Sequence, residues 1–105
     1  MVVVETDNST LLSDTIKKQE FSLYQNNPNP FYDHTTIRFS VASKQHVQLS
    51  LYDLQGREQV KMIDKILNAG SYTYILKKGE LTAGIYIYSL ITTNGVLTKK
   101  LIISD

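Results

Sequence analysis

Short segments in which apolar and polar residues alternate run through most of this chain. Residues 35–41 alternate in this way, and residues 47–51 repeat the pattern. Side chains in a strand point to opposite faces in turn, so a period of two predicts strands with one buried and one wet face. The apolar positions of these two segments are Ile37, Phe39, Val41, Val47, Leu49 and Leu51.

Turn-forming residues separate these segments every 8 to 15 residues. Regularly spaced short strands with turn signals between them predict an all-β, immunoglobulin-like antiparallel β-sandwich of about seven strands. The predicted strands are 21–24, 35–41, 47–52, 57–63, 71–76, 85–92 and 96–103. Residues 58–67 fit a helical stripe almost as well, but their position between two hairpin turns favours a strand.

Residues 1–20 follow neither period. We predict that they are a linker or the tail of an upstream region, and that residues 21–105 form the domain. The start of the chain has no basic leader before its first acidic residue, which argues against a secretory signal peptide. The chain is therefore either cytoplasmic or part of a longer protein.

Tyrosines are concentrated in two of the predicted strands. Residues 85–92 are apolar or aromatic at nearly every position, which predicts a central strand with core on one face and tyrosine rings on the other. Tyr72 and Tyr74 alternate as Tyr86 and Tyr88 do, so the four would form a cross-strand cluster if the strands were neighbours. Such a cluster either packs or stacks on sugar rings, and packing is favoured.

Composition excludes several classes of protein. The 105 residues are enough for one domain, and the absence of cysteine excludes disulfides, cysteine-based zinc sites and thiol nucleophiles. A net charge of +1 removes the electrostatic argument for nucleic acid or an anionic membrane. The apolar runs are shorter than the roughly 20 residues that span a bilayer, so no transmembrane segment is expected.

Candidate catalytic chemistry is sparse. His34 and His46 are the only histidines, and no metal site or other cofactor is expected from two isolated imidazoles. Asp33, Asp53 and Asp64 lie at predicted turns, where aspartate bonds its own backbone. No acid-base pair or nucleophile constellation is recognisable, and we expect a protein that is not an enzyme.

Two local features have a clear geometric meaning. Asp53 and Gly56 take the first and fourth positions of a predicted type I turn. In the last strand, Lys99 or Lys100 must share a face with apolar residues. A lysine on the inner face of an edge strand protects that edge against pairing with another sheet.

The order of the motifs resembles the C-terminal sorting domain, type A, of proteins exported by the type IX secretion system. The resemblance covers residues 21–105, about four-fifths of the chain. It rests on LYQNNPNPF (23–31), TIRF (36–39), VQLSLYDLQGR (47–57), AGSY (69–72), LTAGIYIY (81–88) and KKLII (99–103).

The resemblance implies a non-catalytic domain at the end of a larger protein of a Bacteroidota bacterium. Such a protein crosses the periplasm and reaches the cell surface or the medium. An outer-membrane translocon recognises the domain, and a sortase-like signal peptidase cuts ahead of it, here before Phe21. The residues that the resemblance assigns to recognition are Pro28, Asn29, Pro30, Phe31, Asp53, Gly56, Gly84, Tyr86, Lys99 and Lys100. Many members have asparagine after the Pro-Phe pair, where this chain has Tyr32 and Asp33.

Other interpretations stay open at this point. A carbohydrate- or protein-binding module would use the tyrosine face, and a structural spacer would use no site at all. Asp14-Thr15-Ile16 resembles a short O-glycosylation signal of the same bacteria, with Thr15 as the acceptor. A monomer is expected, with an edge strand at the C-terminus that offers unpaired backbone groups to a partner sheet.

Overall fold

Seven antiparallel strands in two sheets make up the domain in the computed structural model, which describes residues 21–105. The described residues contain no helix. The strands are β1 (Phe21–Leu23), β2 (His34–Val41), β3 (Gln45–Tyr52), β4 (Glu58–Leu67), β5 (Gly70–Lys77), β6 (Gly84–Thr92) and β7 (Gly95–Ile103). The predicted all-β sandwich is confirmed.

One sheet has the strand order β1-β2-β5 and the other β4-β3-β6-β7. Their inner faces enclose a core formed by the alternating apolar positions, and burial of each such side chain contributes roughly 1.5–3 kcal/mol. The buried hydrophobic residues are Phe21, Leu23, Phe31, Ile37, Phe39, Val41, Val47, Leu49, Leu51, Leu76, Tyr86, Tyr88, Leu90, Leu101 and Ile103.

Strand β4 resolves the choice between helix and strand at residues 58–67. Its pairing with β3 shifts register twice, and one shift leaves Met62 between the paired residues Lys61 and Ile63. An extra residue interrupts the period of two. Val60 and Ile63 both pack against the core and are therefore three residues apart, which is a helical spacing, and Met62 packs there as well. The strand also runs to Leu67, four residues beyond its predicted end.

The predicted cluster of four tyrosines is wrong. Tyr72 and Tyr74 lie on β5 in the three-stranded sheet, whereas Tyr86 and Tyr88 lie on β6 in the other sheet. The Tyr72 ring instead stacks on Phe39, with centroids 5.4 Å apart and planes inclined by 15°. The four rings share no face, so a sugar-binding platform built from them loses its structural basis.

The expected orientation of β6 is also wrong. Tyr86 and Tyr88 point into the core, while Ile85 on the opposite face is exposed. A buried tyrosine needs a partner for its hydroxyl. Both hydroxyls have one, since that of Tyr86 donates to the Thr82 carbonyl oxygen (2.7 Å) and that of Tyr88 to the Tyr24 carbonyl oxygen (2.7 Å).

The two ends of the sandwich differ in what they carry. The described chain enters at Phe21, which pairs with Val41, and we call this the entry end. The turn of the β6–β7 hairpin lies at the same end. It consists of Thr93 and Asn94, and Gly95 is the first residue of β7. The opposite end, here the far end, holds loop 24–33, the turn 53–57, loop 78–83 and the last residues of β7.

Candidate functional site

Loop 24–33 lies along the free edge of β7 at the far end. The Asn29 Oδ1 accepts a hydrogen bond from the Ile102 amide (2.9 Å), and the Phe31 amide donates to the Ile102 carbonyl oxygen (3.1 Å). The Ser104 amide then donates to the Phe31 carbonyl oxygen (2.8 Å). The proline loop and the last strand, which are some seventy residues apart in the sequence, are thus joined by hydrogen bonds.

The same loop covers a second backbone group of β7. The Gln25 Nε2 donates to the Lys100 carbonyl oxygen at 2.7 Å. Together with the bonds to Ile102, this satisfies edge groups that would otherwise be open to another strand. The C-terminal half of β7 is therefore not the open acceptor edge that the sequence predicts.

A buried polar network holds the loop in this position. Asn26 is 2 % exposed, and its backbone amide donates a hydrogen bond to the Tyr88 hydroxyl (2.8 Å). That hydroxyl donates in turn to the Tyr24 carbonyl oxygen (2.7 Å). The Asn26 Nδ2 donates to the Thr35 Oγ1 (3.0 Å) and to the Pro28 carbonyl oxygen (3.1 Å). The Thr35 hydroxyl also donates to the Pro28 carbonyl oxygen (2.7 Å). Sequence reasoning missed Asn26 and Thr35, because their partners are set by the tertiary fold.

Tyr88 is the centre of this network and is fully buried. Burial raises the pKa of its hydroxyl to about 12, and the hydrogen bond from the Asn26 amide opposes that rise. The hydroxyl therefore stays protonated at neutral pH. It can accept one hydrogen bond and donate another at the same time.

The four predicted residues of the loop have two different roles. Phe31 is 1 % exposed and forms part of the core, bridging to Ile103 of β7. Pro28, Asn29 and Pro30 are exposed. Both peptide bonds before the prolines are cis. Phe31 thus anchors the loop, and the three preceding residues form its accessible surface.

The turn after β3 has the predicted hydrogen bond, from the Gly56 amide to the Asp53 carbonyl oxygen (3.0 Å). The Asp53 Oδ1 accepts from the amides of Gln55 (2.9 Å) and Arg57 (3.0 Å), and Oδ2 accepts from the Arg57 Nε (2.8 Å). The hydrogen bond from the backbone amide of Arg57 is the main cause that holds the pKa of Asp53 below its usual value. Gly56 has a φ of +86°, which favours glycine because a side chain there is strained.

A polar groove separates this turn from the start of β6. Asp53 and Arg57 line one side, and Thr82, Gly84 and Tyr86 line the other. Gly84 is exposed, and Tyr86 contributes the edge of a buried ring. The groove brings the predicted residues of two further motifs together.

Gly84 also connects the groove to the covered edge of β7. It is the first residue of β6 and pairs with Ile103, which in turn bridges to Phe31. The loop, the last residues of β7, the start of β6 and the turn at Asp53 therefore form one continuous surface. We call this surface the far-end site.

Two exposed apolar side chains at this end are not among the ten residues that the resemblance assigns to recognition. Leu54, at the tip of the turn, is 61 % exposed, and Tyr32, after the proline loop, is 70 % exposed. Single exposed apolar residues are common on protein surfaces, so their exposure alone assigns them no role. In the sequence, their exposure could have been predicted from position, because Leu54 lies inside a turn and Tyr32 lies between a proline loop and an aspartate.

The two lysines of β7 point in opposite directions. Lys99 is half-buried on the inner face, opposite Tyr88, and Lys100 is exposed on the outer face, opposite Ile87. β7 is an edge strand, so the predicted inward lysine on an edge is confirmed. Lys99 lies further from the far end than the other predicted recognition residues.

Among residues 21–105, each histidine lies beside one aspartate, and one of these aspartates, Asp64, also approaches Lys61. The His34 Nδ1 lies 3.1 Å from the Asp33 Oδ2, and the His46 Nε2 lies 2.7 Å from the Asp64 Oδ1. Asp64 is not at a turn as expected but within β4, opposite Gln48, because that strand is longer than predicted. Within residues 21–105, no three potential metal-ligating side chains come together.

Comparison with known families gives an independent result. The family model described as "Secretion system C-terminal sorting domain" matches residues 22–104. The chain belongs to this family. A search of the curated proteins found no match.

The sorting-domain family defines the general role of the chain. A type IX sorting domain is a signal for export to the cell surface or the extracellular space, and domains of this family are in general not catalytic. Residues 21–105 contain no helix long and apolar enough to cross a bilayer. Thr15 and the expected cleavage region lie outside the described residues.

Proposed function

We propose that this sorting domain delivers a larger cargo protein to the type IX outer-membrane translocon, and that the translocon binds the far-end site. One observation supports this most strongly. Nine of the ten residues assigned to recognition, all except Lys99, lie on or directly beneath the far end of the sandwich. They come from four separate stretches of sequence, and the fold assembles them into one surface.

The far-end site is rigid before it meets a partner. Asn26 and Tyr88 fix the loop from below, and Asn29 and Phe31 fix it against β7. Asp53 closes the neighbouring turn with three accepted hydrogen bonds from Gln55 and Arg57. A preorganised surface loses little conformational entropy on binding, which favours recognition.

The position of the chain's entry fits the same role. Phe21 lies at the entry end, so the cargo joins the domain opposite the far-end site. The proposed sortase-like peptidase would cut before Phe21, the residue that marks the entry end of the described chain. Translocon and peptidase can then act on one domain at the same time.

Two equally exposed apolar residues at opposite ends provide a matched test. Leu54 at the far end is 61 % exposed, and Ile66 near the entry end is 62 % exposed. Truncation of either to alanine removes a similar apolar surface with little effect on the core. We expect Leu54→Ala to lower the surface-exposed fraction of a fused reporter several-fold in a type IX-competent cell, and Ile66→Ala to leave it unchanged.

Protease accessibility of the reporter on intact cells measures this fraction, and the thermal midpoint of each purified variant controls for folding. Equal export of the two variants would contradict recognition at the far end. A loss with Ile66→Ala alone would assign recognition to the opposite end.

A further inference from the structure

Residues 21–105 form four sheet edges, and three of them carry a feature that discourages pairing with another strand. β1 has only three residues. β4 carries four charged residues and two register shifts. β7 has Lys99 on its inner face, and loop 24–33 covers its C-terminal half. Short length, charge, bulges and covering loops all protect an edge.

β5 has none of these features. It pairs with β2 residue for residue along its whole length, without a shift, and residues 71–76 are all uncharged. They include two tyrosines, a threonine and an isoleucine, which are favoured in strands. Among residues 21–105, no strand pairs with the outer side of β5. A long, regular and uncharged edge is a template for another strand.

The hydrogen bonding of β5 shows which backbone groups point outward. The Lys78 amide donates to the Asp33 carbonyl oxygen (2.8 Å), in line with the β2–β5 register. Antiparallel strands alternate the direction of these groups residue by residue. The amides and carbonyls of Ser71, Thr73 and Ile75 therefore face away from β2, towards the open edge.

An apolar cleft runs beside this edge, because β4 and β5 border the two sheets on the same side. Val60, Leu76 and Leu81 line its part near the far end, and Met62 and Tyr72 line its part near the entry end. Both parts include Tyr74. A strand added to β5 would place alternate side chains at the mouth of this cleft.

In place of the monomer expected from the sequence, we propose that β5 pairs with β5 of a second copy of this chain, antiparallel about a two-fold axis at Thr73. The two three-stranded sheets would then join into one six-stranded sheet. Thr73 would lie opposite its own copy, and Ser71 opposite Ile75 of the second copy. These pairs use the outward-facing backbone groups and form six hydrogen bonds between the chains.

The side chains of β5 are complementary to themselves in this register. Tyr72 lies opposite Tyr74 of the second copy, and the two-fold axis repeats this pair. Aromatic pairs and threonine pairs across antiparallel strands are stabilising. Lys77, the only charged residue of β5, falls opposite Ala69, beyond the end of the paired strand, so no like charges meet. Such an isologous contact closes at two copies.

The oligomeric state of the full 105-residue chain tests the proposal. Sedimentation velocity over a concentration series should show a monomer–dimer equilibrium, with dimer prevailing above about 100 μM, an affinity ordinary for a small interface. Thr73→Lys would place two lysines opposite each other and should weaken dimerisation at least about tenfold. Thr98→Lys, at an exposed threonine on the edge strand β7, is the matched control and should dimerise like the original chain.

The absence of cysteine allows a direct test of the register. Opposed residues in such a pair have Cα atoms about 5.5 Å apart, within reach of a disulfide. Thr73→Cys should form a disulfide-linked dimer under mild oxidation, and Thr98→Cys should not do so at the same concentration. A chain that stays monomeric overturns the proposal, as does a dimer that Thr73→Lys leaves intact. A dimer in which Thr73→Cys fails to cross-link overturns the register.

Discussion

At the scale of single residues, the far-end site depends on polar groups that are buried beneath it. The Tyr88 hydroxyl and the Asn26 side chain are deep in the domain, and each bonds backbone or side-chain groups of loop 24–33. Pro28, which a partner can reach, is held from below by the Asn26 side chain, and Asn29 is held by the Ile102 amide of β7. Substitutions at the buried positions should therefore alter stability and loop geometry together.

Removal of one hydroxyl tests the network. Tyr88→Phe leaves the Asn26 amide and the Tyr24 carbonyl without their partner, and should lower the free energy of unfolding by about 1–3 kcal/mol at neutral pH. Chemical denaturation of the variant and of the original chain measures this difference. An unchanged unfolding free energy would contradict the role of the hydroxyl.

The same variant should also differ from the original chain in how its stability depends on alkaline pH. The pKa of Tyr88 is about 12 in the folded chain and near 10 in an unfolded one. A raised folded pKa gives stability that is fully present below about pH 10 and is lost as the pH rises towards 12. We expect stability to decline more steeply in the original chain than in Tyr88→Phe across this window. Parallel declines would show that Tyr88 does not carry the effect.

The turn at Asp53 should respond to acid. Its pKa is lowered in the folded chain from an ordinary value of 3.8, mainly by the bond from the Arg57 amide. A lowered pKa gives stability that is present above the unfolded pKa and is lost as the pH falls through the folded one. Asp53→Asn should thus be less stable than the original chain at neutral pH, and the two should converge in strong acid. A stability difference that is constant from about pH 6 to pH 2 would exclude the carboxylate as the cause.

At the scale of elements, β7 has two roles that the sequence could not separate. Its outer edge receives loop 24–33, and its inner face contributes Leu101 and Ile103 to the core. A deletion of the last residues removes both features at once. Loss of export after such a deletion would follow from unfolding as readily as from loss of recognition.

A single core substitution in β7 should show this. Leu101→Ala creates a cavity in the core and should lower the free energy of unfolding by about 2–5 kcal/mol. That is a large part of the stability of a domain this small. Lys100→Ala, one position earlier on the exposed face, should change it by less than about 0.5 kcal/mol. Thermal unfolding of both variants checks the prediction. A loss of stability in Leu101→Ala as small as that in Lys100→Ala would contradict a place for Leu101 in the core.

Local patterns predicted the strands where the period of two holds, as in β2 and β3, and where a turn has its own chemistry, as at Asp53. They failed where tertiary structure decides. The strand favoured over a helix at β4 is confirmed, but its end at Leu67 was missed, and only strand order could place Tyr72 and Tyr86 in different sheets. The sequence supplied the motifs of the far-end site, but not the bonds from Asn26 that hold its loop in place.

At the scale of the whole molecule, the proposed function would separate the attachment of cargo from recognition by the translocon. The first described strand begins at Phe21, and the far-end site lies at the other end of the strands. The open edge of β5 lies on a third side, so a second copy could pair there without covering the far-end site. If both proposals hold, we expect Leu54→Ala to lower export without changing self-association, and Thr73→Lys to weaken self-association without changing export.

The most direct measurement of the central claim is the location of a passenger. A reporter with a signal peptide, fused ahead of the full 105-residue chain, should appear on the surface or in the medium of type IX-competent cells. The same fusion should stay in the periplasm of cells that lack the translocon, and so should the reporter without the domain. Periplasmic retention of the fusion in competent cells, with the domain folded, would contradict the account.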